Sequence, residues 1–349
     1  MIKDNQVNTD LRVNVSAPRG GDKEMQREVN TSTKKLVNCN QNISSQQSST
    51  GIIMSSSFPN RYPSTTRCHY IFNGTAEERV QIRFTNMDLF YSGGNKDDPR
   101  DCSQKDSITV YDILGNVETE IDVFCGAKVP PQLMSSGPYL KIVFNSKAHI
   151  DHVRFSGFRF LYNFRSDYGI STGIQERRGA CYFKYESKQN KTGRFVSPNH
   201  PGLYPKATTC HYIFHGEADE KVRILFQSFE VHGKYPRCLT EVGSDYVSFS
   251  NFYGVEDRDM PRLCGVLKPE STFIESDNDF LTVVFKSNMQ QESSGFEAHY
   301  TFFKKEIPPD PSNTPQRFND AIMWSSNLAT IVLLLIVFVI AKQSLTADS

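Results

Sequence analysis

The pentapeptide CHYIF occurs twice, at 68–72 and 210–214, and in each copy Cys, Tyr and Phe alternate with His and Ile. That period of two predicts a half-buried strand with Cys, Tyr and Phe turned to a core. Short runs of the same kind recur in pairs: VQIRF (80–84) with VRILF (222–226), SITVYD (107–112) with DYVSFS (245–250), YLKIVFNS (139–146) with FLTVVFKS (280–287), and SGFRFLY (156–162) with SGFEAHY (294–300). PNRYPSTTRCHYIF (59–72) aligns without gaps to PGLYPKATTCHYIF (201–214). Short alternating strands at this density, joined by turns, predict a duplicated all-β chain built as two tandem sandwiches.

One apolar run breaks the pattern. LATIVLLLIVFVIA (328–341) is uncharged, and counted from Ala321 the stretch reaches 21 residues, with Trp324 near its start. That length suffices for a helix to cross a hydrocarbon core. It reads as a C-terminal transmembrane helix or as the tail of a lipid-anchor signal behind Ser312, Asn313 and Thr314. Residues 1–38 are polar and aperiodic and are expected to be disordered; they hold no apolar run that could act as a signal peptide, so the true start is expected upstream. The expected organisation is a first domain at 39–164, a linker at 165–180, a second domain at 181–303, a Pro-rich stalk at 304–320, the apolar helix at 321–341 and a short tail at 342–349.

Composition narrows the function. Of 349 residues, Lys+Arg and Asp+Glu number 39 each, and no long basic run exists. Nucleic acid is therefore not an expected partner. The eight cysteines fall into two quartets, Cys39, Cys68, Cys102, Cys125 and Cys181, Cys210, Cys238, Cys264, without a CxxC pair. Zinc and thioredoxin-like redox readings lose their signature, and two disulfides per domain are expected. Sequons at Asn14, Asn30, Asn42, Asn73 and Asn190 agree with an oxidising, glycosylating compartment.

The cysteine quartet, the Pro-x-x-Tyr-Pro turn before its second member, the late Cys-Gly and the closing Gly-Phe strand resemble the CUB domain in both halves. The resemblance implies two jelly-roll-like antiparallel β-sandwiches and the pairs Cys39–Cys68, Cys102–Cys125, Cys181–Cys210 and Cys238–Cys264. More narrowly, FPNRYPSTTRCHYIFNGTAEERVQIRF and GRFVSPNHPGLYPKATTCHYIFHG are similar to the suppressor-of-lurcher group of membrane CUB proteins. That similarity implies an accessory partner of an ionotropic glutamate receptor at the neuronal surface.

Many CUB domains hold calcium at one end through a Glu six residues past a strand-ending Phe, an Asp after the third cysteine and an Asp in a later Ser-Asp pair. Here those places carry Phe90, Asp106 and Lys147 in the first copy, and His232, Asp245 and Asn288 in the second. Glu230, Asp245 and Asn288 are weak calcium candidates, and no cofactor is expected. His149, Asp151 and His152 read as a solvated loop, three residues longer than its counterpart, with a possible recognition role. The acidic stretches KDDPRD (96–101) and GVEDRD (254–259) read as loop surface. No GxSxG, HExxH or phosphate loop occurs, so no enzyme is expected. The expected function is protein binding outside the cell from a plasma-membrane tether. A secreted or lipid-anchored adhesion component and a tail-anchored cytosolic species are the alternatives.

Overall fold

The structure is a computed structural model, and it describes residues 39–91, 102, 105–149, 153–252, 262–268 and 273–305. The expected apolar helix, stalk and N-terminal segment lie outside the described residues. Among the described residues no helix is long and apolar enough to cross a membrane.

The first sandwich contains β1 (Gln41–Ser44), β2 (Thr50–Met54), β3 (Arg67–Asn73), β4 (Arg79–Asp88), β5 (Ser107–Leu114), β6 (Val117–Cys125), β7 (Leu133–Met134), β8 (Tyr139–Asn145) and β9 (Gly157–Arg165). One sheet runs β1-β3-β8-β5-β6 and faces β2-β9-β4-β7. The second contains β10 (Ile174–Gln175), β11 (Tyr182–Glu186), β12 (Thr192–Val196), β13 (Thr209–His215), β14 (Glu220–Val231), β15 (Tyr246–Ser250), β16 (Arg262–Leu263), β17 (Gly265–Val266), β18 (Phe273–Glu275), β19 (Phe280–Lys286) and β20 (Gly295–Lys304). Its sheets run β10-β11-β13-β19-β15-β16 and β12-β20-β14-β17, with β18 also on β14.

The two CHYIF segments form β3 and β13, and Cys, Tyr and Phe are buried in each as the alternation predicts. Ile213 is buried as well, because the outer face of β13 is more covered than that of β3. Tyr70 and Phe72 meet Phe158, Phe160 and Tyr162 of the facing sheet; Tyr212 and Phe214 meet Phe195, Phe296 and Tyr300. Interlocked aromatic rings of this kind run through each core, beside the aliphatic residues.

The departures from regular pairing are duplicated too. β4 bulges against β9 between Phe84 and Asn86, and β14 bulges against β20 between Phe226 and Ser228. In each sandwich one strand joins in parallel, β1 on β3 and β11 on β13. A disulfide stands beside each parallel pair, Cys39–Cys68 and Cys181–Cys210. The other two bridges, Cys102–Cys125 and Cys238–Cys264, fasten the loop before β5 or β15 to the end of the neighbouring edge strand, β6 or β16.

Candidate functional site

Each sandwich has a tyrosine pinned to a buried aspartate at one loop end. Tyr62 donates its hydroxyl to Asp106 Oδ2 at 2.6 Å and accepts the Phe90 N–H at 2.9 Å, while Asp106 Oδ1 accepts the Lys147 N–H at 2.7 Å. In the second sandwich Tyr204 donates to Asp245 Oδ2 at 2.7 Å, accepts the His232 N–H at 2.9 Å, and Asp245 Oδ1 accepts the Asn288 N–H at 2.7 Å. Burial and the adjacent carboxylate both push each phenol well above its ordinary pKa, so each tyrosine stays a donor. Burial also raises Asp245, against the hydrogen bonds from Tyr204 and Asn288.

The two ends then differ. In the first, His149 Nε2 sits 2.8 Å from Asp106 Oδ2, with the imidazole 1% exposed and the carboxylate 0%. Its ring is enclosed by Tyr62, Phe90 and Phe155 at centroid distances of 5.3, 4.7 and 4.7 Å. The expectation of a solvated loop is thus wrong for His149. Three aromatic rings and a carboxylate take the imidazole out of water, at the cost of leaving its Nδ1 buried without a hydrogen-bond partner among the described residues. Asp151 and His152, like both acidic stretches, lie outside the described residues.

A second arrangement joins the sandwiches, and Asn199 is its centre. Its side chain is fully buried, and it uses all its hydrogen-bonding capacity. Oδ1 accepts Gln81 Nε2 and Gln132 Nε2, each at 2.8 Å. Nδ2 donates to Gln132 O at 3.2 Å and to Leu203 O at 2.7 Å. Three of those four bonds cross the joint. The Asn199 backbone, at φ 58°, also donates to Tyr168 O at 2.8 Å; asparagine accepts that left-handed conformation more readily than other side chains. Leu203 N–H donates to Gln132 O at 2.8 Å, and a Cβ on Gly202 would stand 2.4 Å from that same oxygen. Met134 joins the buried cluster of the second sandwich, and Leu203 packs on that of the first.

The linker takes part in the joint. Arg165 holds Asp167 through two 2.8 Å bonds, Arg79 bonds the Tyr168 hydroxyl at 2.9 Å, and Arg178 reaches Glu77 at 3.4 Å. Beside it, buried Asp112 accepts the Ser136 N–H, and Lys206 lies 3.4 Å from Glu292. Burial raises both the Asp112 and Glu292 carboxyls, with Lys206 opposing the shift in each.

A model of the family described as "CUB domain" matches residues 39–162 and 181–300. The chain belongs to the CUB family. Its CUB modules are 29% identical over 287 residues to tolloid-like protein 1 of Homo sapiens, covering 81% of this chain and 25% of that protein. They are 27% identical over 258 residues to cubilin of Homo sapiens, covering 72% of this chain and 6% of that one. The chain thus spans a quarter or less of these relatives. Among solved structures it is similar to the CUB1-EGF-CUB2 domain of human MASP-1/3, at 20% identity and a TM-score of 0.30, over 73% of this chain and 100% of that one.

Among the described residues, the donors at the two CUB loop ends are not gathered as calcium requires, which takes six to eight hard oxygens. In the first module each Asp106 oxygen is committed, Oδ2 to both Tyr62 and an imidazole. In the second, Asp245 is held by Tyr204 and Asn288 N, while the Asn288 side chain donates to Gly243 O and accepts from Gln290 N. Glu230 is exposed and takes the Ser294 hydroxyl at 2.8 Å. The three weak candidates are therefore committed separately. Among the described residues no group of three or more His, Cys, Asp or Glu could hold a metal.

Of the sequons, Asn42 on β1 and Asn190 in the turn before β12 are exposed, and Asn73 is half-buried. Asn14 and Asn30 lie outside the described residues. Sequence reasoning missed the joint. Its signal was present in the gapless alignment of the two turns, where Asn60 and Arg61 are replaced by Gly202 and Leu203. A small and an apolar residue at formerly polar turn positions mark a face that is covered.

Proposed function

We propose that this chain is a non-enzymatic glycoprotein that works outside the cell, tethered to the plasma membrane, as a protein-binding accessory partner of a neuronal ionotropic glutamate receptor. The observation that supports recognition as its task is the joint. Asn199 ties two sulfur-stapled modules into one two-faced unit, and the described cysteines all stand in bridges. A fixed pair of sandwiches presents surfaces to a partner at a defined spacing, which lowers the ordering cost of binding. To alter a receptor's gating it must contact the channel's states with different affinity. The receptor class is favoured by the likeness of 58–84 and 193–216 to the suppressor-of-lurcher group.

Proximity labelling at the surface of neurons expressing the full chain tests the proposal. Enrichment of an ionotropic glutamate receptor over a control carrying unrelated CUB modules is the expected result. No receptor channel above that control, with the protein recovered in the medium, favours a secreted adhesion component instead.

A further inference from the structure

β3 ends on Asn73, and β8 opens on Tyr139 directly across from it. The Gly74 N–H donates to Pro138 O at 2.8 Å, so Gly74 and Pro138 are the hydrogen-bonded pair. Asn73 and Tyr139 then form the adjacent non-hydrogen-bonded pair, in which side chains stand closer. The Asn73 carbonyl accordingly turns the other way and accepts the Ser45 N–H at 3.1 Å. Cys68, Tyr70 and Phe72 face the core, so Asn73 projects from the outer face of the sheet. Tyr139 stands beside it, 40% exposed. Among the described residues no hydrogen bond holds either side chain.

The second module fills the same place differently. Its matching cross-strand pair is His215 and Phe280, whose ring centroids lie 6.4 Å apart, with Phe280 only 8% exposed. Asn73 has no ring to lay against Tyr139. It does open a sequon, Asn73-Gly74-Thr75, where the second module reads His215-Gly216-Glu217.

We propose that Asn73 carries an N-linked glycan whose first N-acetylglucosamine lies on the Tyr139 ring, covering it as His215 covers Phe280. The assignment rests on the glycoprotein reading proposed above and specifies one site and its structural role. The bond formed joins Asn73 Nδ2 to C1 of the sugar. The bond broken joins that carbon to a lipid pyrophosphate donor, which leaves with the electron pair while Nδ2 gives up one proton. Directly opposed residues have Cβ atoms about 4.5–5.5 Å apart. The sugar begins where the short asparagine amide ends, level with the phenol ring, and sets its apolar C–H face on the ring's π face. The other described sequons lack this plate. Asn42 is in register with Ile71, and Asn190 belongs to no ladder. A glycan so held closes this end of the outer face to a protein partner.

The full chain, expressed behind a supplied secretion leader in cells that keep high-mannose glycans, tests this. Glycopeptide mass spectrometry should find Asn73 occupied. Trimming by an endoglycosidase that leaves one N-acetylglucosamine should keep the melting temperature. Asn73→Gln, or complete removal from the folded protein by a glycan amidase, should lower it by roughly 2–4 °C. In a Tyr139→Ala background that drop should vanish, and in an Asn42→Gln background it should persist. Tetranitromethane should nitrate Tyr139 in Asn73→Gln and spare it in the parent. A bare Asn73, a drop on trimming alone, an equal drop without Tyr139, or equal nitration overturns the assignment. Glycans at Asn42 or Asn190 beside a bare Asn73 defeat it while the glycoprotein reading stands. A glycan seated on Tyr139 without receptor labelling on neurons upholds it while the accessory role falls.

Discussion

Replacing Asn199 by alanine tests whether the two modules are held by side-chain chemistry or merely lie side by side. Alanine leaves the Gln81 and Gln132 amides without their shared acceptor and Gln132 O without one of its donors, in a place where Asn199 itself is wholly buried. An unpaired buried polar group costs about 1–3 kcal/mol. Gln132 O keeps the Leu203 N–H, so the penalty falls on the two amides, that of buried Gln81 and that of half-buried Gln132, and at about 1.5 kcal/mol each they sum to about 3 kcal/mol. A Cβ-bearing residue without a local hydrogen bond at this positive φ adds about 1 kcal/mol. For a cooperative unit of this size, about 4 kcal/mol lowers the melting temperature by roughly 10 °C. Scanning calorimetry reads that drop, or a split of one transition into two as the modules uncouple. Asn199→Gly tolerates the backbone conformation and isolates the hydrogen-bond part. A melting temperature within about 2 °C of the parent for Asn199→Ala, with one transition kept, would refute the reasoning.

The remaining expectations concern the loop ends, the buried carboxyls and the bridges. His149→Ala removes a ring enclosed by three aromatics and should destabilise by about 2–4 kcal/mol in urea titrations, whereas calcium addition or chelation should leave the parent's melting temperature unchanged; a chelator-induced drop contradicts the donor argument. Asp112 and Glu292 have carboxyls raised by burial, so they favour the folded state most when protonated, and that stability is lost as pH rises through their raised values. Asp112→Asn with Glu292→Gln should therefore flatten the stability profile in the mildly acidic range. Glu220 behaves oppositely: burial pushes it up, but bonds from Glu217 N–H, Lys191 and Ser187 outweigh this and hold it at about 2. Its contribution is present above the ordinary carboxylate range and is lost as pH falls toward that value, a slope that Glu220→Gln should remove. Alkylation of the native protein should modify none of the eight cysteines, and Cys181→Ser with Cys210→Ser should cost about 3–4 kcal/mol.

The strands were legible because their information is local. Tyr70 and Phe72 announce their burial through neighbours two residues away, and the pattern repeats at Tyr212 and Phe214. The duplication was equally plain in the cysteine spacing. Asn199 was not, since its partners at 81 and 132 lie far off in sequence and no periodicity links an amide to two distant amides. His149 failed for a related reason. A histidine in a polar loop looks solvated until the aspartate 43 residues earlier and three aromatic rings are folded around it. Phe90, Lys147, His232 and Asn288 were legible as departures from the family's calcium pattern, but the imidazole seated on Asp106 in the first module could only be found in three dimensions.

The short connector pinned by Arg79, Arg165 and Arg178 has a thermodynamic consequence for the joint. Because both halves belong to one chain, opening and reclosing are unimolecular, and the connector keeps the local concentration of each face before the other very high. The contact needs only modest intrinsic strength. Dilution cannot separate it, and a partner that pries the halves apart must overcome the same opening free energy at any expression level.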